Sequence, residues 1–431
     1  MIRRLSMGMD NPKGFFWSFT LVLVGGLMFL GGLGVDKAFS IGQTGLRVEV
    51  LKTGGVLIAA LLTGLAFIVK GGLRMPRGAF LYGLFLLLFL MTSSPHLSAG
   101  FPLKEDVATA FNSSPDLKSG VFLNAVINTF GQSRDATRSF EVFMLFLSGG
   151  LFWLAFYNLA SEFGPLFDKA IIILGLIFGG MFIAKGTFSQ SSLGPWSLYL
   201  PASVSYNHNH IGDFWAVVLA IKAYHMLKKP RWWGWVLIGV GFYFLVVSLS
   251  RAAYVAFAAG ISYLFYKEGW IKRYKNLFLL MVVAFIVLFL SAGFYKTTLF
   301  SRPYFLQGIL GIIHNPLGVG VGNFGAISAA PENQFLGIQG GFSSVAHNIV
   351  LEVMVGMGIF GIVFIIWLAK AAWGFWEERS SSTLIYQAVF ITLFINFLFD
   401  YTYFIPTTLW LWFASLGLAQ NRVRDKRTAN L

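Results

Sequence analysis

The sequence predicts an all-α integral membrane protein, with about 12 transmembrane helices beneath an outward-facing cap of helix and loop. Three observations predict it. Over 431 residues the mean hydropathy is +0.71, with 56% hydrophobic and only 12% charged residues, a composition that no water-soluble domain of this length carries. The apolar residues gather into runs of about 17 to 25 residues, long enough to cross a hydrocarbon core as helices. Lys and Arg fall mainly on one side of the membrane when those runs are counted off.

In chain order the runs are 15–35, 53–70, 78–92, 139–160, 169–185, 209–227, 232–249, 252–267, 276–294, 348–371, 383–400 and 403–420. The first follows "MIRRLSMGMDNPK" with no small-x-small cleavage pattern after it, so it reads as a retained helix with its N-terminus in the cytoplasm. Twelve crossings then put "KGGLRMPR", "KKPRWW", "KEGWIKRYK", "WEERSSS" and "NRVRDKR" on the same side as "MIRR". That side holds about 20 of the 32 Lys and Arg against about 11 on the other, as the positive-inside rule requires. The net charge of +14 is thus spread over short juxtamembrane clusters, which suit anionic lipid headgroups and not nucleic acid. The chain has no cysteine, so disulfides and thiolate metal sites are excluded.

The whole chain, 1–431, reads as a single polytopic membrane domain with three outward segments long enough to carry function: 93–138, 186–208 and 295–347. It shows no internal repeat and no matching pair of Gly/Pro-broken helices, the pattern common in secondary transporters. Within 295–347, "RPYFLQGILGII" reads as an amphipathic helix on the outer membrane surface, followed by an irregular loop. A cap of this kind over a bundle forms a cleft at the lipid boundary, suited to a substrate with an apolar tail and a polar head.

Chemistry-bearing residues are few, which makes their placement informative. His347 stands at the lip of "SSVAHNIVLEVMVGMGIFG" with no carboxylate or second histidine at metal-ligand spacing. A lone imidazole at a helix start can act as a general base near neutral pH, or can be an interfacial histidine beside the helix cap Asn348. Arg251, in "SLSRAAYVAF", lies at a tight outward turn where an arginine near hydrocarbon faces a polar cavity or an anion. Arg302 opens the surface helix on the same side. Two outward guanidiniums can clamp a diphosphate with their forked donors, or can anchor in headgroups. Asn207, His208 and Arg138, at the ends of outward segments, are further candidates for substrate binding, together with Asn348.

Several patterns point elsewhere. "GVGVGNFG", Gly318–Gly325, matches G-x-G-x-x-G without the strand and βαβ unit that a dinucleotide site needs, so its glycines are expected to give a tight backbone path toward His347. In "YNHNHIGDFW", His208 and His210 are two apart and cannot share a helical face, so for the cluster of Asn207, His208, Asn209, His210 and Asp213 hydrogen bonding to a sugar or helix capping fits better than a metal. Glu105 and Asp106 are the carboxylate candidates for a rival, acid-based mechanism, but the chain has no D-x-D. Glu352 falls inside an apolar run and is expected to partner Asn348 or a cation from another helix.

Taken in order, these stretches resemble the O-antigen ligase and O-antigen polymerase superfamily of bacterial envelope glycosyltransferases. "HNIVLEVMVGMG" resembles the superfamily's HN-x-x-L helix start and repeats the ligases' spacing of histidine, ten residues and glycine from His347 to Gly358. "SRAAYVAFAAG" resembles the arginine turn, "SRPYFLQGILGIIHNPLGVGVGNF" the arginine, surface helix and glycine segment, and "NFLFDYTYFIPTTLWLW" the closing helices. The resemblance covers 207–420; before that it extends to topology alone. In two places the chain departs from the pattern. Val255 stands where the ligases have leucine, and Glu352 where a polar amide is common.

The resemblance implies a GT-C-like fold in the bacterial inner membrane, with a periplasmic active site at the end of the loop 295–347. It implies a metal-independent inverting transfer from an undecaprenyl-diphosphate-linked glycan, with no cofactor. His347 would be the catalytic base, and Arg251 and Arg302 would hold the diphosphate. The acceptor would be lipid A-core for a ligase, or a second carrier-linked repeat unit for a polymerase; the histidine-to-glycine spacing favours the ligase. A lipid-glycan transporter is the reading from another class, and it predicts ionisable residues deep in several helices.

Overall fold

Long apolar stretches free of interior proline form helices because each satisfies its own backbone hydrogen bonds, the condition for crossing a hydrocarbon layer. The computed structural model describes residues 48–93, 136–184, 188–191, 198–201, 208–248, 250–276, 279–280, 282–283, 286–287, 303–328, 345–375 and 381–429. These residues are helical apart from turns and one antiparallel hairpin, β1 (Phe188–Ser191) with β2 (Leu198–Pro201), in which Phe188 faces Pro201. The expected run 15–35, most of the segment 93–138 and most of the run 276–294 lie outside the described residues.

The principal helices are α1 (Val48–Lys70), α2 (Ala79–Thr92), α3 (Ala136–Asn158), α4 (Ala160–Ala184), α5 (His208–Lys228), α6 (Trp232–Val247) and α7 (Arg251–Lys267). They continue with α8 (Pro303–His314), α9 (Phe324–Ser328), α10 (Ile349–Met357), α11 (Ile362–Ala372), α12 (Ser381–Phe397) and α13 (Pro406–Ala429). Among the described residues two helices are long and apolar enough to cross a membrane, Arg138–Asn158 and Ile349–Phe375. Gly55–Lys70, Ala79–Thr92, Trp232–Val246, Phe305–His314 and Thr383–Phe397 are shorter apolar helices. Many turn large apolar side chains outward, among them Leu61 and Ile68 of α1, Phe80 and Leu87 of α2, and Trp232 and Trp235 of α6.

The chain divides into two units. The first comprises 1–77, 148–299 and 371–431. In it α7 packs on α5 and α12, α5 on α6, and α12 on α13. A small residue also lets α13 lie close against α3. A methyl group at Gly417 of α13 would stand 2.6 Å from the Trp153 carbonyl oxygen. Polar side chains tie the same faces together: the Trp410 indole donates to Ser148 Oγ at 2.7 Å and the Trp153 indole to Gln420 Oε1 at 3.1 Å.

The second unit comprises 78–147 and 300–370. Its aromatic core joins α2, α3 and α11, with Phe85 and Phe364 centroids 5.2 Å apart and Tyr82 and Trp367 4.7 Å apart. The Tyr82 hydroxyl donates to the Phe146 carbonyl at 2.7 Å, so the polar end of this buried ring is satisfied. A second apolar cluster, Val319, Phe324, Ile327, Ala346 and Val355, fixes α9 and the glycine segment against α10.

The run 348–371 is not one regular helix. It is α10, a 3-10 turn at Gly358–Gly361, and then α11. Gly358 has φ 56, outside the helical region, so the α-helical bond pattern ends there.

Candidate functional site

His347 lies in the second unit, immediately before α10. Its own backbone is the notable feature: φ is 51, the only positive value at a non-glycine among the described residues. Left-handed backbone costs an L-residue about 1–2 kcal/mol, and it persists where neighbouring contacts over-determine it.

Those contacts are present on both sides. After His347, Asn348 caps α10, its Oδ1 accepting from the Val350 N–H at 2.9 Å and the Leu351 N–H at 3.0 Å. Before it, the Ala346 N–H donates to Glu352 Oε2 at 2.8 Å. The other oxygen, Glu352 Oε1, accepts the Gly322 N–H at 3.1 Å. Glu352 is 2% exposed, and its carboxylate accepts from backbone amides of two segments, partners that the sequence did not suggest beside Asn348 or a cation from another helix. The acid of a capping box reaches back to the N–H of the cap residue; Glu352 reaches further, to the residue two before the Asn348 cap.

The glycine segment follows from the break in the helix above. Ending the α-helical pattern near Gly358 frees carbonyls at the end of α10. The Val319 N–H donates to the Val355 carbonyl at 3.1 Å and the Gly320 N–H to the Gly356 carbonyl at 2.8 Å. Backbone lies directly on backbone here, because a methyl group at Gly318 would stand 2.3 Å from the Gly356 oxygen. Asn323 completes the turn, its Nδ2 donating to the Val319 carbonyl at 3.0 Å and to Ser139 Oγ at 3.1 Å. Ser139 in turn donates to the Val321 carbonyl at 2.9 Å.

Arg138 is half-buried at the start of α3 and joins the same region: a methyl group at Gly322 would come within 3.3 Å of its Cγ. The structure therefore gathers His347, Asn348, Glu352, the glycine segment and Arg138 in one unit. Ser139 and Asn323 belong to this assembly although the sequence marks neither. Their only signal is that a serine beside an arginine and an asparagine after a glycine run are polar residues bordering apolar stretches.

The helix α8, predicted as the surface helix, packs on α10 and α9. It is inside-out relative to a soluble helix. Gln307 faces inward and accepts the Ser328 hydroxyl at 3.1 Å, while Leu306, Ile309 and Ile313 are exposed.

The other candidates belong to the first unit or lie outside the described residues. Arg251 is the first residue of α7, in the first unit, and is half-buried. Ser250 caps that helix, accepting the Ala253 N–H at 3.2 Å and donating to Asp213 Oδ1 at 3.3 Å. Asp213 lies within α5, past its first turn. It is 1% exposed inside the bundle and faces Asp400, Asn396 and Thr402, a polar cluster of which the sequence reading included only Asp213. His208 is the first residue of α5. Arg302, Asn207, Glu105 and Asp106 lie outside the described residues. Among the described residues no three His, Cys, Asp or Glu side chains gather as metal ligands.

No protein-family model, curated protein or solved structure matches this chain.

Proposed function

We propose that this chain is an O-antigen ligase, a metal-independent inverting glycosyltransferase that moves a glycan from undecaprenyl diphosphate to lipid A-core. The reading places about 12 transmembrane helices in the bacterial inner membrane and the reaction at its periplasmic face. The observation that carries it is His347. It sits at a helix start in a left-handed backbone conformation, held by an Asn348 cap on one side and a buried Glu352 carboxylate on the other. Strained backbone of this kind clusters at active sites and ligand clamps. The inside-out face of α8 supports a lipid boundary beside it, because exposed Leu306, Ile309 and Ile313 favour hydrocarbon over water.

In this reaction His347 takes the proton from an acceptor sugar hydroxyl. The oxygen attacks the anomeric carbon, the bond from that carbon to the diphosphate oxygen breaks, and the lipid diphosphate leaves with the electron pair. A single displacement inverts the configuration at that carbon. Arg251 and Arg302 act on the leaving diphosphate, where fixed cations stabilise charge as it develops. Arg138, Asn348, Asn207 and His208 are candidate contacts to the sugars.

The test is a transfer assay with purified protein in lipid vesicles, a carrier-diphosphate glycan as donor and lipid A-core as the only acceptor, run in chelator. Glycan on lipid A-core, lost in His347→Ala while donor binding survives, is the expected result. A folded, donor-binding protein that transfers nothing overturns the ligase reading in favour of a polymerase, whose acceptor is a second carrier-linked repeat unit.

A further inference from the structure

We propose that Glu352 is a positioning residue for His347, locking the histidine backbone and the glycine segment into one rigid register. The inference rests on the reading of His347 as the base, and it adds a role for a carboxylate that touches no reacting atom.

The chemistry of the contact requires an acid. Glu352 presents two oxygens to two N–H donors from separate segments, Gly322 at 3.1 Å and Ala346 at 2.8 Å. A carboxylate only accepts, so both oxygens suit both donors. Glutamine keeps one acceptor and sets an N–H donor against the other amide. A buried carboxylate that accepts backbone N–H bonds satisfies groups that would otherwise be stranded in an apolar interior.

The geometry shows what the bonds hold. Ala346 directly precedes His347 and Asn348 directly follows it, so the Glu352 bond and the helix cap fix the chain on either side of φ 51. The second oxygen ties that point to Gly322, and the segment before Gly322 is bonded through Val319 and Gly320 to the end of α10. Loss of the carboxylate removes that tie between the histidine backbone and the glycine segment while α10, still capped by Asn348, stays folded.

The experiment uses the full chain in lipid vesicles as wild type, Glu352→Gln, Glu352→Ala, His347→Ala and the double variant Glu352→Ala/His347→Ala. Amide hydrogen exchange is read at Ala346, Gly322 and Leu351, and transfer is read as kcat and donor KM. In Glu352→Ala, exchange at Ala346 and Gly322 should accelerate at least about tenfold with Leu351 unchanged, since exchange reports local opening. In the same variant kcat should fall about 100-fold, the scale of loss when a reacting group is misplaced by an ångström, with donor KM within about twofold of wild type.

The double variant should be no slower than His347→Ala, because both changes remove one function. Unchanged exchange at both amides overturns the proposal. So does a loss confined to donor KM, or an additive loss in the double variant. Glu352→Gln is isosteric and carries the test if Glu352→Ala does not fold: it should expose one of the two amides and lower kcat, and wild-type behaviour in both readouts overturns the role. If the wild type itself transfers nothing, the ligase reading fails, and the exchange measurements still decide whether Glu352 holds His347.

Discussion

The Gly320 N–H donates to the Gly356 carbonyl at 2.8 Å, joining the glycine segment to the end of the helix that begins beside His347. Side chains have no room at this junction. A methyl group at Gly356 would stand 2.4 Å from Val321 Cα, and one at Gly318 would stand 2.3 Å from the Gly356 oxygen. Gly356→Ala should therefore destabilise the protein by about 1–3 kcal/mol, the usual cost of overpacking. Thermal unfolding in detergent is the measurement. Gly64→Ala in α1, with nothing within 4 Å, is the matched control and should be neutral or slightly stabilising. Equal behaviour of the two variants would remove the close-approach account.

The left-handed backbone lets the proposed catalytic role of His347 be tested apart from its place in the fold. Asparagine tolerates φ near 51, whereas a β-branched residue there is a genuine outlier. His347→Asn should fold like wild type and lose transfer. His347→Val should lose transfer and also stability, because a β-branched residue tolerates this backbone worse than histidine does. Unfolding midpoints measured beside activity check this, and identical midpoints for the two variants would mean that the backbone relaxes when the imidazole is absent.

Asn348 accepts from both Val350 and Leu351 at the first turn of α10. Asn348→Ala should cost about 1 kcal/mol through the lost cap, and Asn348→Asp or Asn348→Ser should restore most of it. If Asn348 also contacts the acceptor sugar, the Ser variant will recover stability but not the acceptor KM. Stability and acceptor titration on the same three proteins distinguish capping alone from capping with binding.

The helices were legible wherever hydropathy alone decides. The predicted 209–227, 232–249 and 252–267 agree with α5, α6 and α7 to within a residue or two. The start of α4 was not legible: it begins at Ala160, nine residues before the predicted 169. Its first turns, "ASEFGPLFDK", interrupt the apolar run with Ser161, Glu162, Asp168 and Lys169, and contacts that no hydropathy profile registers hold them, the Lys70–Glu162 ion pair at 2.7 Å and the Asp168–His225 hydrogen bond at 2.9 Å. The break at Gly358 was hidden because "GMGIFG" is apolar throughout, and the N–H groups that satisfy the freed carbonyls come from residues 319 and 320. His347, Asn348 and the glycine path were readable as side chains or as absent side chains. The Glu352 link was not, since its partners are backbone amides, which leave no residue signature.

Arg251 gives the last prediction. It occupies the first position of α7, where the positive end of the helix dipole disfavours a cation. Ser250 already supplies the cap, and Asp213 holds Ser250 in turn. On the reading that Arg251 holds the donor diphosphate, its guanidinium supplies a forked donor, the property that lysine lacks. Arg251→Ala should weaken donor use about tenfold or more, the loss expected when a charge-assisted hydrogen bond is removed. Arg251→Lys should recover only part of it, because a point charge cannot make the paired contact. Titration of the carrier-diphosphate glycan against each variant at fixed acceptor reads both effects. Full donor affinity in both variants would sink the diphosphate role, and full rescue by lysine would reduce it to simple charge.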